Sequence, residues 1–326
     1  MSLSLNFSPQ PFIASQSCRV PFHRFKHASV LSPSQRRLSP DPICATDPHH
    51  EQQRININPA DKETALKIRS SPGLSSGDHL VLDTTLPAGL RQELMPKHVG
   101  LILDGNRRWA RSKSLPVISG YEAGIRSWIL LLELCWKWGI KVLSGFAFST
   151  ENWGRPKEEV GFLMGLLERT LRDEMRTFMR KNIRVSVIGD VSALPSSLQE
   201  AIVEAEEATR NNGGLQLIIA MSYSGQYDIV QACRQIAVKV KDGFIDPQDV
   251  SKSLIEQELQ TKLTEFPCPD IIIRTSNEHR LSNYFLWQAA YSELYFAPQL
   301  LPDFGEAEFV EALVCFQKRN RRFGST

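Results

Sequence analysis

Three short stretches of this 326-residue chain gather the side chains that could hold an anion. They are Asp104-Gly-Asn-Arg-Arg-Trp-Ala110, Ser149-Thr-Glu-Asn-Trp-Gly-Arg155, and Arg274-Thr-Ser-Asn-Glu-His-Arg280 followed by Ser282-Asn283. Together they supply a carboxylate, several amides and hydroxyls, and the five arginines Arg107, Arg108, Arg155, Arg274 and Arg280. Arginine forks match phosphate oxygens bidentately, and Gly105 lets the backbone come close to an anion. A carboxylate inside such a cluster points to a divalent cation, most often Mg²⁺. The chemistry implied is the grip on a phosphorylated ligand.

Each stretch follows a segment that reads as a β-strand. Residues 99–103 form a short, unbroken apolar run, as expected of a strand covered on both faces. Further strands are predicted over 140–148, 183–188, 215–221 and 270–273. Helical periodicity is predicted over 124–138, 158–181, 195–209, 226–240 and 306–319. Strands and helices alternating at this spacing imply one α/β domain with a largely parallel sheet. In such sheets ligands gather at the carboxyl ends of the strands, where the three stretches fall.

Net charge is +2, from 38 basic and 36 acidic residues, but it is unevenly placed. Residues 1–40 hold five basic residues, nine serines and no acid. Removing those five leaves 33 basic against 36 acidic residues, so the body sits at −3 and lacks the basic character of a nucleic-acid binder. The Ser-, Pro- and Arg-rich start is expected to be a transit peptide over 1–45, directed to a plastid, with a linker over 46–93 and a catalytic domain over 94–326. The six cysteines show no metal-ligand spacing, so reduced, buried thiols are expected. No stretch has the length of apolar residues that a membrane span requires. Neither a P-loop nor a dinucleotide glycine motif occurs, nor do two adjacent aspartates, so the phosphate site carries no nucleotide signature.

Residues 95–324 resemble the cis-prenyltransferases, the undecaprenyl diphosphate synthase family. The resemblance rests on Asp104-Gly-Asn-Arg-Arg-Trp-Ala110, Phe146-Ala-Phe-Ser-Thr-Glu-Asn-Trp153, and Pro269-Asp through Arg280-Leu-Ser-Asn-Tyr-Phe-Leu-Trp-Gln288. It also rests on Tyr291-Ser-Glu-Leu-Tyr-Phe296, Pro302-Asp-Phe304 and Arg321-Arg-Phe-Gly324. The resemblance implies a six-stranded, mainly parallel sheet beside an apolar tunnel, and a homodimer. It implies a reaction in which an allylic diphosphate ionises, isopentenyl diphosphate attacks through C4, and loss of a proton leaves a new Z double bond. By the same resemblance Asp104 would hold Mg²⁺ and assist diphosphate departure, with Glu293 as second metal carboxylate. Gly105, Asn106 and Arg107, with the Arg108 and Arg155 side chains, would cradle the allylic diphosphate, and Trp109 and Trp153 would wall that site. Asn152, with Ser149, would assist proton removal. Arg274, Arg280 and Ser282 would grip isopentenyl diphosphate, and Arg322 and Gly324 would reach the neighbouring subunit's substrate. His279 would join the metal and phosphate shell or orient Glu293.

Departures from the family pattern bear on the product. Gly120-Tyr121 replaces the usual Gly-His, Val117 stands where long-chain bacterial members have arginine, and Asn277 stands where glycine is usual. Asn277 tolerates a left-handed backbone or else reshapes the isopentenyl site. The second option leads to an irregular coupling of two dimethylallyl diphosphates into a branched, lavandulyl-type product. A further alternative is a non-catalytic partner subunit, against which Asp104, Asn152 and Glu293 all count. Phe162 and Leu166 on the long helix, with Phe146, Phe148 and Met221, are the candidates to line the tunnel. A short to medium Z-prenyl diphosphate made from five-carbon precursors is the expected product.

Overall fold

The computed structural model describes residues 86–322. The segment expected to be a transit peptide, the expected linker up to residue 85, and Gly324 lie outside the described residues. Six strands form one sheet in the order β3-β4-β2-β1-β5-β6, and every neighbouring pair is parallel. The strands are β1 (His98–Ile102), β2 (Val142–Ser149), β3 (Arg184–Ile188), β4 (Gln216–Tyr223), β5 (Ile271–Arg274) and β6 (Glu293–Phe296). The helices are α1 (Asn106–Ser112), α2 (Val117–Lys137), α3 (Lys157–Arg180), α4 (Ser196–Thr209), α5 (Gly225–Lys241), α6 (Lys252–Glu258) and α7 (Glu306–Gln317). No helix among the described residues is long and apolar enough to cross a membrane.

The unbroken apolar runs have a simple cause. Successive strand side chains point to opposite faces, and both faces of this sheet are covered. Val99, Leu101, Leu143, Leu217, Ile219, Ile271 and Ile273 pack into one core with residues of α2, α3, α4 and α7. Ile102, Val142, Phe146, Ile218, Ala220 and Ile272 pack into a second core with Tyr284 and Phe285. A bulge in β2 breaks this alternation: Phe146 pairs with Ala220 and Phe148 with Met221, leaving Ala147 as the extra residue. Phe148 therefore joins the first core while Phe146 stays in the second.

Five of the six strands and five of the seven helices fall on segments predicted from periodicity. The misses are short or begin with weak signals. Strand β6 is four half-buried residues at the sheet edge, and α1 and α6 span seven residues each, too few to show a period. Helix α2 begins at Val117, seven residues before the apolar stripe starts, because Pro116 supplies its N-cap. The linker boundary at 93 is also corrected. Leu90 belongs to the first core, Leu86 packs against it, and the Gln92 side chain donates to the Trp138 carbonyl at 3.3 Å. Among the described residues only Cys135 carries a buried thiol, whereas Cys233 and Cys268 are exposed and Cys315 is half-buried.

Candidate active site

A cavity of about 460 Å³ opens at the carboxyl ends of β1, β2 and β5, roofed by α1, α2 and α3. Its mouth is polar: Asp104 to Arg108, Arg111, Tyr121, Ser149, Asn152, Arg155, Arg274 and Ser282. Its inner part is apolar, with Ile125, Trp128, Ala147, Leu163, Leu166 and Leu167. A smaller chamber of about 30 Å³ continues inward, sharing Leu103, Ile125, Trp128, Ala147 and Leu167, and ends at Leu171, Phe178, Leu217 and Met221. The space is thus a polar mouth on an apolar tunnel between the sheet and the helix pair.

The turn from β1 into α1 brings the mouth together. Gly105 adopts φ 114°, and a Cβ there would lie 2.4 Å from Ser276 Oγ and 3.0 Å from Leu300 Cα. Glycine is therefore required both by conformation and by space. The turn places Asn106 and Arg107 in the first helical turn, where backbone N–H groups have no partner within the helix. Asp104 is fixed through its backbone, since its N–H donates to Thr275 Oγ1 at 3.0 Å and its carbonyl accepts the Thr275 hydroxyl at 2.6 Å.

Charge is arranged as an alternating network. Buried Arg274 reaches Asp104 Oδ2 from Nη2 at 2.9 Å and donates from Nη1 to Ser282 Oγ and to the Arg280 carbonyl, both at 2.6 Å. Arg108 lies 3.5 Å from Asp104 and 3.1 Å from Glu278. On the other side, Glu159 Oε1 accepts the Tyr121 hydroxyl at 2.5 Å, with Arg155 3.7 Å and Arg107 3.8 Å away. Asn106 Oδ1, Arg107 Nε, Arg274 Nε and Ser276 Oγ are buried without a hydrogen-bond partner. The first three belong to residues that line the cavity, and because buried polar atoms are normally satisfied, their clustering is consistent with a mouth built for a polar ligand.

Of the residues singled out from sequence, Asp104, Gly105, Asn106, Arg107, Arg108, Ser149, Asn152, Arg155, Arg274 and Ser282 line this one cavity. Arg280 stands beside it, paired to Glu278 at 2.5 Å. Leu166 lines the tunnel as expected, whereas Phe162 packs against the first core instead. Phe146 lines the mouth chamber, Met221 lines the inner one, and Phe148 is buried in the core.

Several expectations are overturned. Glu293 opens β6 and pairs in register with Ile271 at the start of β5, while Asp104 lies two residues beyond the β1 end that pairs with Arg274. Roughly five residues of strand rise, about 16 Å, separate the two carboxylates within one chain. Glu293 cannot share a cation with Asp104 of the same chain and is held by Arg319 at 2.8 Å. His279 does not orient it: the imidazole stacks on Phe296 and bonds Asn277 Oδ1 at 3.1 Å. Trp109 and Trp153 do not line the cavity. Trp109 Nε1 donates to Asp303 at 2.7 Å and Trp153 Nε1 to Ser222 at 2.9 Å. The tryptophan that does wall the tunnel is Trp128, flat against β2 because Gly145 has no Cβ to meet its ring. Asn152 Oδ1 accepts the Ser149 N–H at 3.2 Å, which fixes the orientation of the amide at the cavity mouth and leaves its oxygen a second lone pair. Arg321, which precedes Arg322, pairs its guanidinium with Asp270 at the amino end of β5, away from the cavity.

Thr275 and Glu278 belong to the third stretch but carry no role of their own in the sequence reading, and Tyr121 enters it only as a departure from the family pattern. Glu159 is not singled out there, although it stands four residues after Arg155 at the start of α3.

The family model described as undecaprenyl diphosphate synthase matches residues 102–324. Cis-prenyltransferase 4, chloroplastic, of Solanum lycopersicum is 53% identical over 292 residues, covering 89% of this chain and 95% of the relative. The chloroplastic (2Z,6Z)-farnesyl diphosphate synthase of the same plant is 51% identical over 232 residues, 71% of this chain and 80% of the relative. Among solved structures, lavandulyl diphosphate synthase from Lavandula x intermedia, in complex with dimethylallyl diphosphate, superposes with a TM-score of 0.70 at 43% identity. That match covers 72% of this chain and all of the other.

Proposed function

The chain belongs to the undecaprenyl diphosphate synthase family and is a cis-prenyltransferase, and we propose that it condenses an allylic diphosphate with isopentenyl diphosphate into a short to medium Z-prenyl diphosphate. The observation that carries this reading is the junction of the two chambers. The arginines of the mouth, with the partnerless buried atoms Asn106 Oδ1, Arg107 Nε and Arg274 Nε on lining residues, stand directly before an apolar tunnel. A diphosphate headed by an isoprenoid tail fits that polarity, whereas a nucleotide would place polar rings where Leu163, Leu166 and Leu167 stand.

Arg107, Arg108 and Arg155 would hold the allylic diphosphate, placing cationic donors where charge develops as the leaving group departs. Arg274 and Ser282, with Arg280 beside them, would seat isopentenyl diphosphate. The tunnel walls would exclude water from the allylic cation. Mg²⁺ fits the mouth through Asp104. One carboxylate suits a cation that takes its remaining ligands from diphosphate oxygens and water, and no set of three metal-ligating side chains exists among the described residues. When bound, the cation would neutralise diphosphate charge.

Product length is read from the tunnel end. Phe178, Leu171, Leu217 and Met221 close it after a small chamber of about 30 Å³, which favours few condensations. The chloroplastic relatives and the acid-free first 40 residues support a plastid address. A homodimer is proposed on the strength of the family match alone. Purified protein supplied with dimethylallyl and isopentenyl diphosphates and Mg²⁺ should release diphosphate and yield Z-prenyl alcohols after phosphatase treatment. No turnover with any allylic primer would overturn the reading.

A second reading is irregular coupling of two dimethylallyl diphosphates, as in the enzyme named for the lavandulyl product. It is favoured by the 43% identity to lavandulyl diphosphate synthase and by Asn277, which stands where the family pattern usually has glycine. Dimethylallyl diphosphate supplied alone should then give a branched ten-carbon alcohol. Strict dependence on isopentenyl diphosphate removes it.

A further inference from the structure

One residue of the mouth is neither an arginine nor a carboxylate of the motifs, yet it controls how both behave. Tyr121 lies on α2, is 5% exposed, and lines the cavity. Its hydroxyl donates to Glu159 Oε1 at 2.5 Å and accepts from Arg155 Nη1 at 3.1 Å. The same Glu159 oxygen lies 3.7 Å from Arg155 Nη1 and 3.8 Å from Arg107 Nε, both beyond hydrogen-bonding reach. Arg107 Nε has no hydrogen-bond partner at all. Three groups thus converge on one carboxylate oxygen, and only the neutral one holds it.

We infer that Tyr121 is a positioning residue that caps the Glu159 oxygen and keeps Arg155 and Arg107 available to the allylic diphosphate. The physical argument is a competition. Glu159 is nearly buried, with its side chain 12% exposed, and a carboxylate so placed takes the best donor within reach. With the phenol present, that donor is a hydroxyl, and Arg155 is bridged to the carboxylate through it. Without the phenol, Arg155 would close onto Glu159 as a direct charge-assisted pair. The guanidinium would then be consumed inside the protein rather than offered to phosphate oxygens. Glu159 still tethers the two arginines electrostatically, so they remain near the mouth. Burial and the neighbouring carboxylate both push the phenol pKa up, so the hydroxyl keeps its proton throughout the working range.

The inference rests on the diphosphate-binding reading above, and equilibrium binding separates the two. The full chain, its Tyr121→Phe variant and the Tyr121→Phe/Glu159→Gln double variant are titrated calorimetrically with dimethylallyl diphosphate and Mg²⁺. Tyr121→Phe should weaken binding about tenfold. Adding Glu159→Gln should restore it to within about threefold of wild type, because no charge is left to capture Arg155. In turnover, Tyr121→Phe should raise KM for the allylic substrate and leave KM for isopentenyl diphosphate unchanged. Unaltered binding by Tyr121→Phe overturns the inference, and so does a loss that Glu159→Gln fails to rescue, since the phenol would then touch the ligand itself. Should Tyr121→Phe not fold, the Glu159→Gln single variant decides. It should bind as tightly as wild type or more tightly, and a tenfold loss would show that the carboxylate supports the arginines instead. Failure of wild-type protein to bind the diphosphate would refute the functional reading along with the positioning role.

Discussion

Arg274 and Asp104 meet at 2.9 Å across the ends of β5 and β1, and the arginine's other amino group is already bound by Ser282 and the Arg280 carbonyl. A buried guanidinium with fixed partners holds the carboxylate at one point of the mouth. Asp104→Asn should keep this geometry while removing the charge that a cation needs. We expect turnover to fall by about 100-fold or more, with the melting temperature little changed. Steady-state diphosphate release and a thermal melt check both parts, and near-wild-type turnover would refute the assigned role of Asp104.

Trp128 is the wall shared by both chambers, and its indole rests on Gly145, where a Cβ would lie 2.4 Å from the ring. Trp128→Ala should open the tunnel and lengthen the products by one or more five-carbon units. It should also destabilise the fold by about 3–5 kcal/mol, as large core truncations do. Chromatography of the dephosphorylated alcohols reads the first effect, and denaturant unfolding the second. An unchanged product profile would move the length limit elsewhere.

Acid stability should depend on His98. The ring is fully buried, with Nδ1 donating to the Phe266 carbonyl and Nε2 accepting from the Ser144 hydroxyl, both at 2.7 Å. Desolvation lowers its pKa from 6.5 to about 4. The unfolded chain therefore takes up a proton below pH 6.5 while the folded ring stays neutral until about pH 4. Stability is lost across that window as pH falls, by roughly 3 kcal/mol from this group. His98→Asn should be less stable at pH 7 yet decline less between pH 6.5 and 4. Parallel curves for the two proteins would remove His98 as the cause.

The loop after β5 tests backbone strain. Ser276 and Asn277 sit at φ 81° and 55°, and their N–H groups donate to the Gln299 and Ala297 carbonyls at 2.7 and 2.8 Å. Asn277→Gly should be nearly neutral in a thermal melt, whereas Asn277→Ala should cost about 1 kcal/mol. Equal effects of the two would mean that the side chain, not the backbone, matters there.

Much of this was legible because it is local. A strand buried on both faces shows as an apolar run, and the stretches at Asp104, Ser149 and Arg274 follow three such runs. A parallel sheet brings all carboxyl ends to one edge, so Asp104 and Arg274, 170 residues apart in sequence, are expected at one site from their strands alone. The family's motifs then supplied roles residue by residue, and most of those residues do line one cavity.

What the sequence by itself determined, then, is the sheet, the edge that carries the site and the anionic class of ligand, since these follow from side-chain type and spacing along the chain. Only the tertiary structure decided which side chains face inward. Register placed Glu293 at the far end of its strand, and a bulge at Ala147 turned Phe148 away from the face of Phe146. A glycine on β2 admitted Trp128 to the tunnel while Trp109 and Trp153 found partners outside it. The meeting of Tyr121 with Glu159 joins two helices whose residues share no local pattern. Direction, register and through-space competition for a donor are properties of packed elements, and no one-dimensional spacing encodes them.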